Sequence, residues 1–130
     1  MNNKIKVLFI EDEESLQKSM GRALEFEGYE LITAIDGETG IMLAKKEKPD
    51  LILLDLVLPK KDGFEVLKEI KNDDEIKKTP VIILSNLEGL GDVDKAIELG
   101  ATNYLVKANY DLQELIDKIG SIIKPVKKQI

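Results

Sequence analysis

Charged or hydroxyl side chains follow four apolar runs of this chain. Glu11-Asp12 follows Val7-Leu8-Phe9-Ile10, Asp55 follows Leu51-Ile52-Leu53-Leu54, Ser85 follows Val81-Ile82-Ile83-Leu84, and Lys107 follows Tyr104-Leu105-Val106. If each run is a buried parallel strand, its carboxyl end opens onto a single crevice of an α/β sheet, so residues far apart in sequence converge there. Three carboxylates, a hydroxyl and an ammonium would then share one pocket. The chain has no Cys and no His, which excludes thiolate nucleophiles, disulfides, the usual zinc sites and imidazole acid-base chemistry. What remains is the chemistry of hard oxygen donors beside a lysine.

The elements that would position these groups alternate along the chain. Apolar runs at 5–10, 51–54 and 81–84 are short, continuous and rich in Ile, Val and Leu, as expected of strands covered on both faces. Weaker runs at about 30–35 and 103–107 predict edge or near-edge strands. Between them lie helical stripes: Leu16, Met20, Ala23, Leu24 and Phe26; Ile41 and Ala44; Phe64, Leu67 and Ile70; Val93, Ala96 and Ile97; and Leu112, Leu115, Ile116, Ile119 and Ile122. Ser15 or a neighbouring acid near the first stripe, Asp36-Gly37 before the second and Asp111 before the fifth are candidate helix starts; Gly28, Lys48-Pro49 and Gly100 are candidate stops. Five βα units predict a parallel, doubly wound sheet with right-handed crossovers. The flavodoxin-like strand order 2-1-3-4-5 fits five strands, and its ligand crevice lies between strands 1 and 3, those ending in Glu11-Asp12 and Asp55.

Composition narrows the class further. At 130 residues and 43% hydrophobic content the chain fits one domain with a real core. A charged fraction of 34% with both signs interspersed describes a solvated surface, and the net charge of -6 argues against a nucleic-acid surface. Arg22 is the sole arginine, so bidentate contacts to phosphate or bases are nearly absent, and no direct nucleic-acid binding is expected. No apolar stretch approaches the ~20 residues of a membrane span, and Met1-Asn2-Asn3-Lys4 has no signal-peptide pattern, so a cytoplasmic protein without membrane contact is expected. The folded domain is expected over 1–124, with the Lys-rich, Pro-containing segment 125–130 as a tail or the start of a linker.

The strand-end motifs together resemble the receiver domain of two-component response regulators, of the single-domain chemotaxis type, over roughly residues 5–123. The matching pieces are Phe9-Ile10-Glu11-Asp12-Glu13, Leu54-Asp55-Leu56-Val57-Leu58-Pro59 with Asp62-Gly63, Leu84-Ser85-Asn86, and Gly100-Ala101-Thr102-Asn103-Tyr104-Leu105-Val106-Lys107. The resemblance implies that Asp55 accepts a phosphoryl group from a phosphohistidine on a sensor histidine kinase or phosphotransfer protein. It also implies a Mg²⁺ ion, which suits hard oxygen ligands and offsets the repulsion between a carboxylate and a phosphate dianion. Asp12 and Asp55 would ligate it directly, the Val57 carbonyl would add a main-chain oxygen, and Glu11 would act through a bound water. Lys107 would pair with Asp55 and then with the phosphoryl oxygens, Ser85 would bind a phosphoryl oxygen, and Tyr104 would turn inward as Ser85 moves. The loop Leu87-Glu88-Gly89-Leu90-Gly91 would serve as the hinge, and the face made by helix 4, strand 5 and helix 5 would bind a downstream protein or form a phosphorylation-dependent homodimer.

Each residue also has an ordinary reading. Glu11-Asp12 can be an acidic helix start favoured by the dipole, Asp55 a turn acid before Pro59, Lys107 one more solvated lysine, Ser85 a loop cap, and Tyr104 a half-buried aromatic. Their coincidence, in order, at four strand ends favours the site. The chain departs from the family pattern at Ala108, where a proline usually follows the lysine, at Asn86, where a small residue commonly follows the hydroxyl, and at Leu58, where Met is frequent. Val57 and Leu87, both apolar, would flank the path of a hydrolytic water, which predicts slow loss of the phosphoryl group. A haloacid dehalogenase-like hydrolase would need an acid where Val57 stands. A flavin-binding module would not place Glu11-Asp12-Glu13-Glu14 where a phosphate cradle belongs. A degenerate receiver acting only as an interaction scaffold is the remaining alternative.

Overall fold

A computed structural model describes residues 4–87 and 89–127. Alternation of apolar strands with amphipathic helices produces β1 (Lys6–Ile10), α1 (Glu14–Phe26), β2 (Glu30–Ala34), α2 (Gly37–Glu47), β3 (Leu51–Leu54), α3 (Gly63–Lys71), β4 (Val81–Ser85), α4 (Leu90–Glu98), β5 (Asn103–Val106) and α5 (Leu112–Lys127). A 3₁₀ turn, Lys107–Asn109, joins β5 to α5. The strands form one parallel sheet in the order β2-β1-β3-β4-β5, as the alternation predicts.

The strand residues divide strictly by parity, as a period of two requires. Leu8, Ile10, Ile52, Leu54, Val81 and Ile83 face a core closed by Ile41, Ala44, Val66, Leu67, Ile70 and Ala96 of α2, α3 and α4. Val7, Phe9, Leu51, Leu53, Ile82, Leu84 and Leu105 face a second core closed by Met20, Leu24, Leu115, Ile116, Ile119 and Ile123 of α1 and α5. β1, β3 and β4 are thereby covered on both faces, and β2 and β5 are the edges, again as their weaker patterns predict.

Local signals set the helix ends. The Asp36 carboxylate accepts from the Thr39 N–H at 2.8 Å and caps α2; Asp62 does the same for Glu65 at 3.0 Å in α3. Before α5, Asp111 and Glu114 exchange main-chain donors at 2.8 and 2.9 Å in a reciprocal capping box. Gly28, at φ 96°, and Gly100, at φ 109°, end α1 and α4 in the left-handed region. At the start of α1 the N-cap residue is Glu13, with no side-chain cap.

Two expected helix faces differ from the structure. Phe26 is 89% exposed: it lies two residues from Leu24, about 200° around the helix, so it falls off the buried stripe. Ile97 is half-exposed, and Ala96 alone is buried in α4, which makes α4 the least anchored helix among the described residues. Of the expected hinge, Gly89 is the N-cap of α4 at φ -64° and Gly91 lies in its first turn; Glu88 lies outside the described residues. The backbone of α5 continues past residue 124 to Lys127, and 128–130 of the expected tail lie outside the described residues.

Candidate functional site

The register of the sheet brings the four strand-end motifs together. Ile10 pairs with Leu54, so Glu11 and Asp55 leave adjacent strands side by side, and the Asp55 N–H donates to the Ile10 carbonyl at 3.1 Å. Ser85 at the end of β4 pairs with Val106, which delivers Lys107 one residue later. Glu11, Asp12, Glu13, Asp55, Val57, Ser85, Asn86 and Lys107 line one open cavity of about 250 Å³. Every residue expected at the site is therefore at its rim or floor except Tyr104, which sits beside it.

Asp55 is nearly buried, at 5% exposure. One carboxylate oxygen, Oδ1, accepts from the Val57 N–H at 3.2 Å, and the other, Oδ2, accepts from Lys107 Nζ at 2.9 Å. The chain turns sharply behind it. The Gly63 N–H donates to the Leu56 carbonyl at 2.9 Å, and a Cβ on Gly63 would lie 2.4 Å from the Asp55 carbonyl oxygen. Only glycine lets the start of α3 approach this closely.

Glu11 is fully buried. Its Oε2 accepts from the Glu13 N–H at 3.1 Å, while its Oε1 lies 2.7 Å from Lys107 Nζ without a well-aligned hydrogen bond. Burial pushes the Glu11 carboxyl up to about 7; Lys107 opposes the shift, and the charge of Asp55 reinforces it. Burial opposes the charge on Lys107, but its close pairing with the Glu11 and Asp55 carboxylates prevails and holds its pKa above the ordinary lysine value. Asp12, exposed at the mouth, completes the acidic set.

Carboxylate oxygens of Glu11, Asp12 and Asp55 all lie within 4.8 Å of one another. Three acidic groups facing a single ammonium leave an excess of negative charge, and a buried carboxylate oxygen is left without an aligned donor. Both features fit a small divalent cation that prefers hard oxygen ligands, such as Mg²⁺.

On the other side of the cavity, Ser85 is fully buried, and its Oγ accepts from the Leu87 N–H at 3.4 Å. Half-buried Tyr104 packs against the α2–α4 core and donates its hydroxyl to the Leu87 carbonyl. Leu87 itself packs on that core, whereas Val57, 59% exposed, lines the cavity. Of the two side chains expected to flank a water path, only Val57 is among those lining it.

One participant, Gln17, carries no periodic or motif signal. Gln17 donates from Nε2 to the Glu11 carbonyl at 3.0 Å and the Ala34 carbonyl at 3.1 Å, tying together the ends of β1 and β2. Asn86 Oδ1 accepts from the Ala108 N–H at 3.1 Å, bridging the loops after β4 and β5. Two of the three positions that depart from the family pattern therefore bond to each other. No peptide among the described residues is cis, the Lys107–Ala108 bond included.

A family model of the response regulator receiver domain matches residues 7–120. A probable transcriptional regulator ycf27 of Porphyridium aerugineum is 37% identical over 125 residues, which is 96% of this chain and 50% of that protein. The DNA-binding dual master transcriptional regulator RpaA of Synechocystis sp. is 34% identical, over 92% of this chain and 49% of its own length. The chain thus spans about half the length of these curated relatives. Among solved structures, the Mn²⁺-bound form of response regulator Rcp1 superposes with a TM-score of 0.83 at 33% identity, covering 92% of this chain and 95% of that one.

Proposed function

The chain belongs to the response regulator receiver domain family, and from that premise we propose that Asp55 accepts a phosphoryl group from a phosphohistidine on a sensor histidine kinase or phosphotransfer protein. The observation that carries this reading is the placement of Asp55 between an acidic pair and Lys107, at the reversal of strand order between β1 and β3.

In the transfer, a carboxylate oxygen of Asp55 attacks phosphorus and the P–N bond of the donor breaks. The imidazole leaves with the electron pair, as a neutral ring when its other nitrogen carries a proton. Asp55 gives up no proton, so the step needs no general base. Glu11, Asp12, Asp55 and the Val57 carbonyl would hold Mg²⁺, which when bound supplies positive charge against the equatorial phosphoryl oxygens. Lys107 moves from its two carboxylates to a phosphoryl oxygen, so the cation that neutralises the resting site also neutralises the product. Ser85 offers its hydroxyl to another phosphoryl oxygen, and its bond to the Leu87 N–H transmits that change to the loop held by Tyr104.

Output then follows from α4, which buries only Ala96 and is the helix most easily repositioned. The face formed by α4, β5 and α5 would bind a downstream protein or a second copy of the chain. The test is intact mass after incubation with acetyl phosphate and Mg²⁺. A gain of one phosphoryl group that is absent in Asp55→Asn and in EDTA supports the switch. No adduct together with no Mg²⁺ binding would leave a domain that serves only as an interaction scaffold.

A further inference from the structure

Asn86 and Ala108 are 22 positions apart and joined by one hydrogen bond, Ala108 N–H to Asn86 Oδ1 at 3.1 Å. Ala108 lies in the 3₁₀ turn Lys107–Asn109, whose first N–H groups have no partner within the turn. Only the oxygen end of an amide can accept from an N–H, so this bond fixes which way the Asn86 amide faces. Both Nδ2 hydrogens are thereby left for another acceptor, and Asn86 lines the same cavity as Asp55, Ser85 and Lys107.

A phosphoryl group on Asp55 would bring three acceptor oxygens into that cavity. We infer that Asn86 is a phosphoryl-contacting residue, its Nδ2 donating to a phosphoryl oxygen while the Ala108 N–H holds its Oδ1. The inference rests on the phosphoacceptor reading of Asp55 and adds to it. A proline at position 108 has no N–H, so orientation of this kind requires a residue such as Ala108 there. Asn86 is thus a third donor, beside Lys107 and Ser85, that the chain supplies to the group on Asp55.

Four proteins test this: wild type, Asn86→Ala, Asn86→Asp and Ala108→Pro. Each is incubated with acetyl phosphate and Mg²⁺, and intact mass follows both the gain of phosphoryl group and its loss after the donor is removed. The shift in thermal midpoint on adding Mg²⁺ checks that the fold and the acidic cluster are intact. Asn86→Asp keeps the acceptor for Ala108 but replaces the donor with an anion, and it is expected to slow phosphorylation about tenfold or more, the scale of a lost hydrogen bond to a charged group. Asn86→Ala is expected to slow it less, and Ala108→Pro to fall between Asn86→Ala and wild type. A merely structural Asn86 would change midpoints and leave the rates alone.

Equal rates in wild type, Asn86→Ala and Asn86→Asp overturn the inference. So does faster phosphorylation of Asn86→Ala, which would mean that the amide obstructs the donor. Should Ala108→Pro fail to fold, the two Asn86 variants decide the question. If wild type itself gains no phosphoryl mass, the proposed function falls and this inference falls with it. Phosphorylated wild type with indifferent variants removes the inference alone.

Discussion

Tyr104 and Leu87 are joined by one hydrogen bond, from the phenolic hydroxyl to the main-chain carbonyl. Leu87 is also the residue whose N–H meets Ser85 Oγ. A single peptide segment is therefore held at one end by the expected phosphoryl-binding hydroxyl and at the other by the aromatic of β5. Tyr104→Phe keeps the ring and removes the donor. It is expected to lower stability by about 1 kcal/mol in urea unfolding and to speed amide hydrogen exchange in the first turn of α4; unchanged exchange would show that the bond does not restrain the loop.

Lys107 is the only ammonium within ion-pairing distance of Glu11 and Asp55 among the described residues. Lys107→Met leaves these buried carboxylates facing each other, and in EDTA it is expected to destabilise the fold by about 3 kcal/mol. Millimolar Mg²⁺ is expected to restore much of that loss, because a cation can replace the ammonium. A variant as stable as wild type in EDTA would count against the charge balance described above.

Acidity at Glu11 gives the domain a pH dependence. The folded, metal-free protein holds this proton to about 7, against an ordinary value of 4.5. The stability from burying a neutral Glu11 is full below about pH 4.5 and is lost as pH rises through about 7. Between those limits the metal-free thermal midpoint is expected to fall with pH, less steeply in Glu11→Gln. Mg²⁺ affinity is expected to rise over the same window, as Glu11 ionises beside Asp12, Asp55 and Lys107. Thermal midpoints taken by calorimetry across about pH 4.5 to 7 check the slope, and an equal slope in Glu11→Gln would assign it elsewhere.

Gly63 leaves no room for a methyl group. Its Cβ would meet the Asp55 carbonyl at 2.4 Å and the Leu56 Cα at 2.4 Å, both main-chain atoms that cannot swing aside. Gly63→Ala is expected to cost about 1–3 kcal/mol and to reduce phosphorylation of Asp55 through displaced geometry. Urea midpoints and acetyl phosphate mass kinetics measure the two effects.

Val57 lines the cavity and offers no polar atom from its side chain. Val57→Asn is expected to shorten the lifetime of the aspartyl phosphate about tenfold by giving an attacking water a hydrogen-bond partner. Leu87→Asn is expected to act mainly on stability, since Leu87 packs on the core. Decay of the phosphorylated mass, with urea unfolding of both variants, separates these outcomes.

The sheet order and the convergence of Glu11, Asp12, Asp55, Ser85 and Lys107 were legible because buried parallel strands are continuous in sequence and their ends coincide by topology. Asp36 and Asp111 were legible as caps for a similar reason, since capping chemistry is local. Phe26 falls outside that rule: its apolar side chain extends the stripe in sequence, but two positions from Leu24 put it about 200° around the helix, away from the core. Gln17, the close approach of Gly63 to Asp55 and the Asn86–Ala108 bond could not be read ahead, since each depends on distance between segments that only the folded chain brings together.

Asp55 and its ammonium partner are 52 positions apart in the chain. A polypeptide emerging from the ribosome thus presents the acceptor carboxylate long before Lys107 exists to neutralise it. If Asp55 is the acceptor, competence for phosphoryl transfer would arrive only when β5 has been made and paired with β4, and a signal would then reach finished domains and not nascent ones. Proteins truncated before Gly100 provide the measurement: they should take up no phosphoryl mass from acetyl phosphate, even though Asp55 and the acidic pair are present.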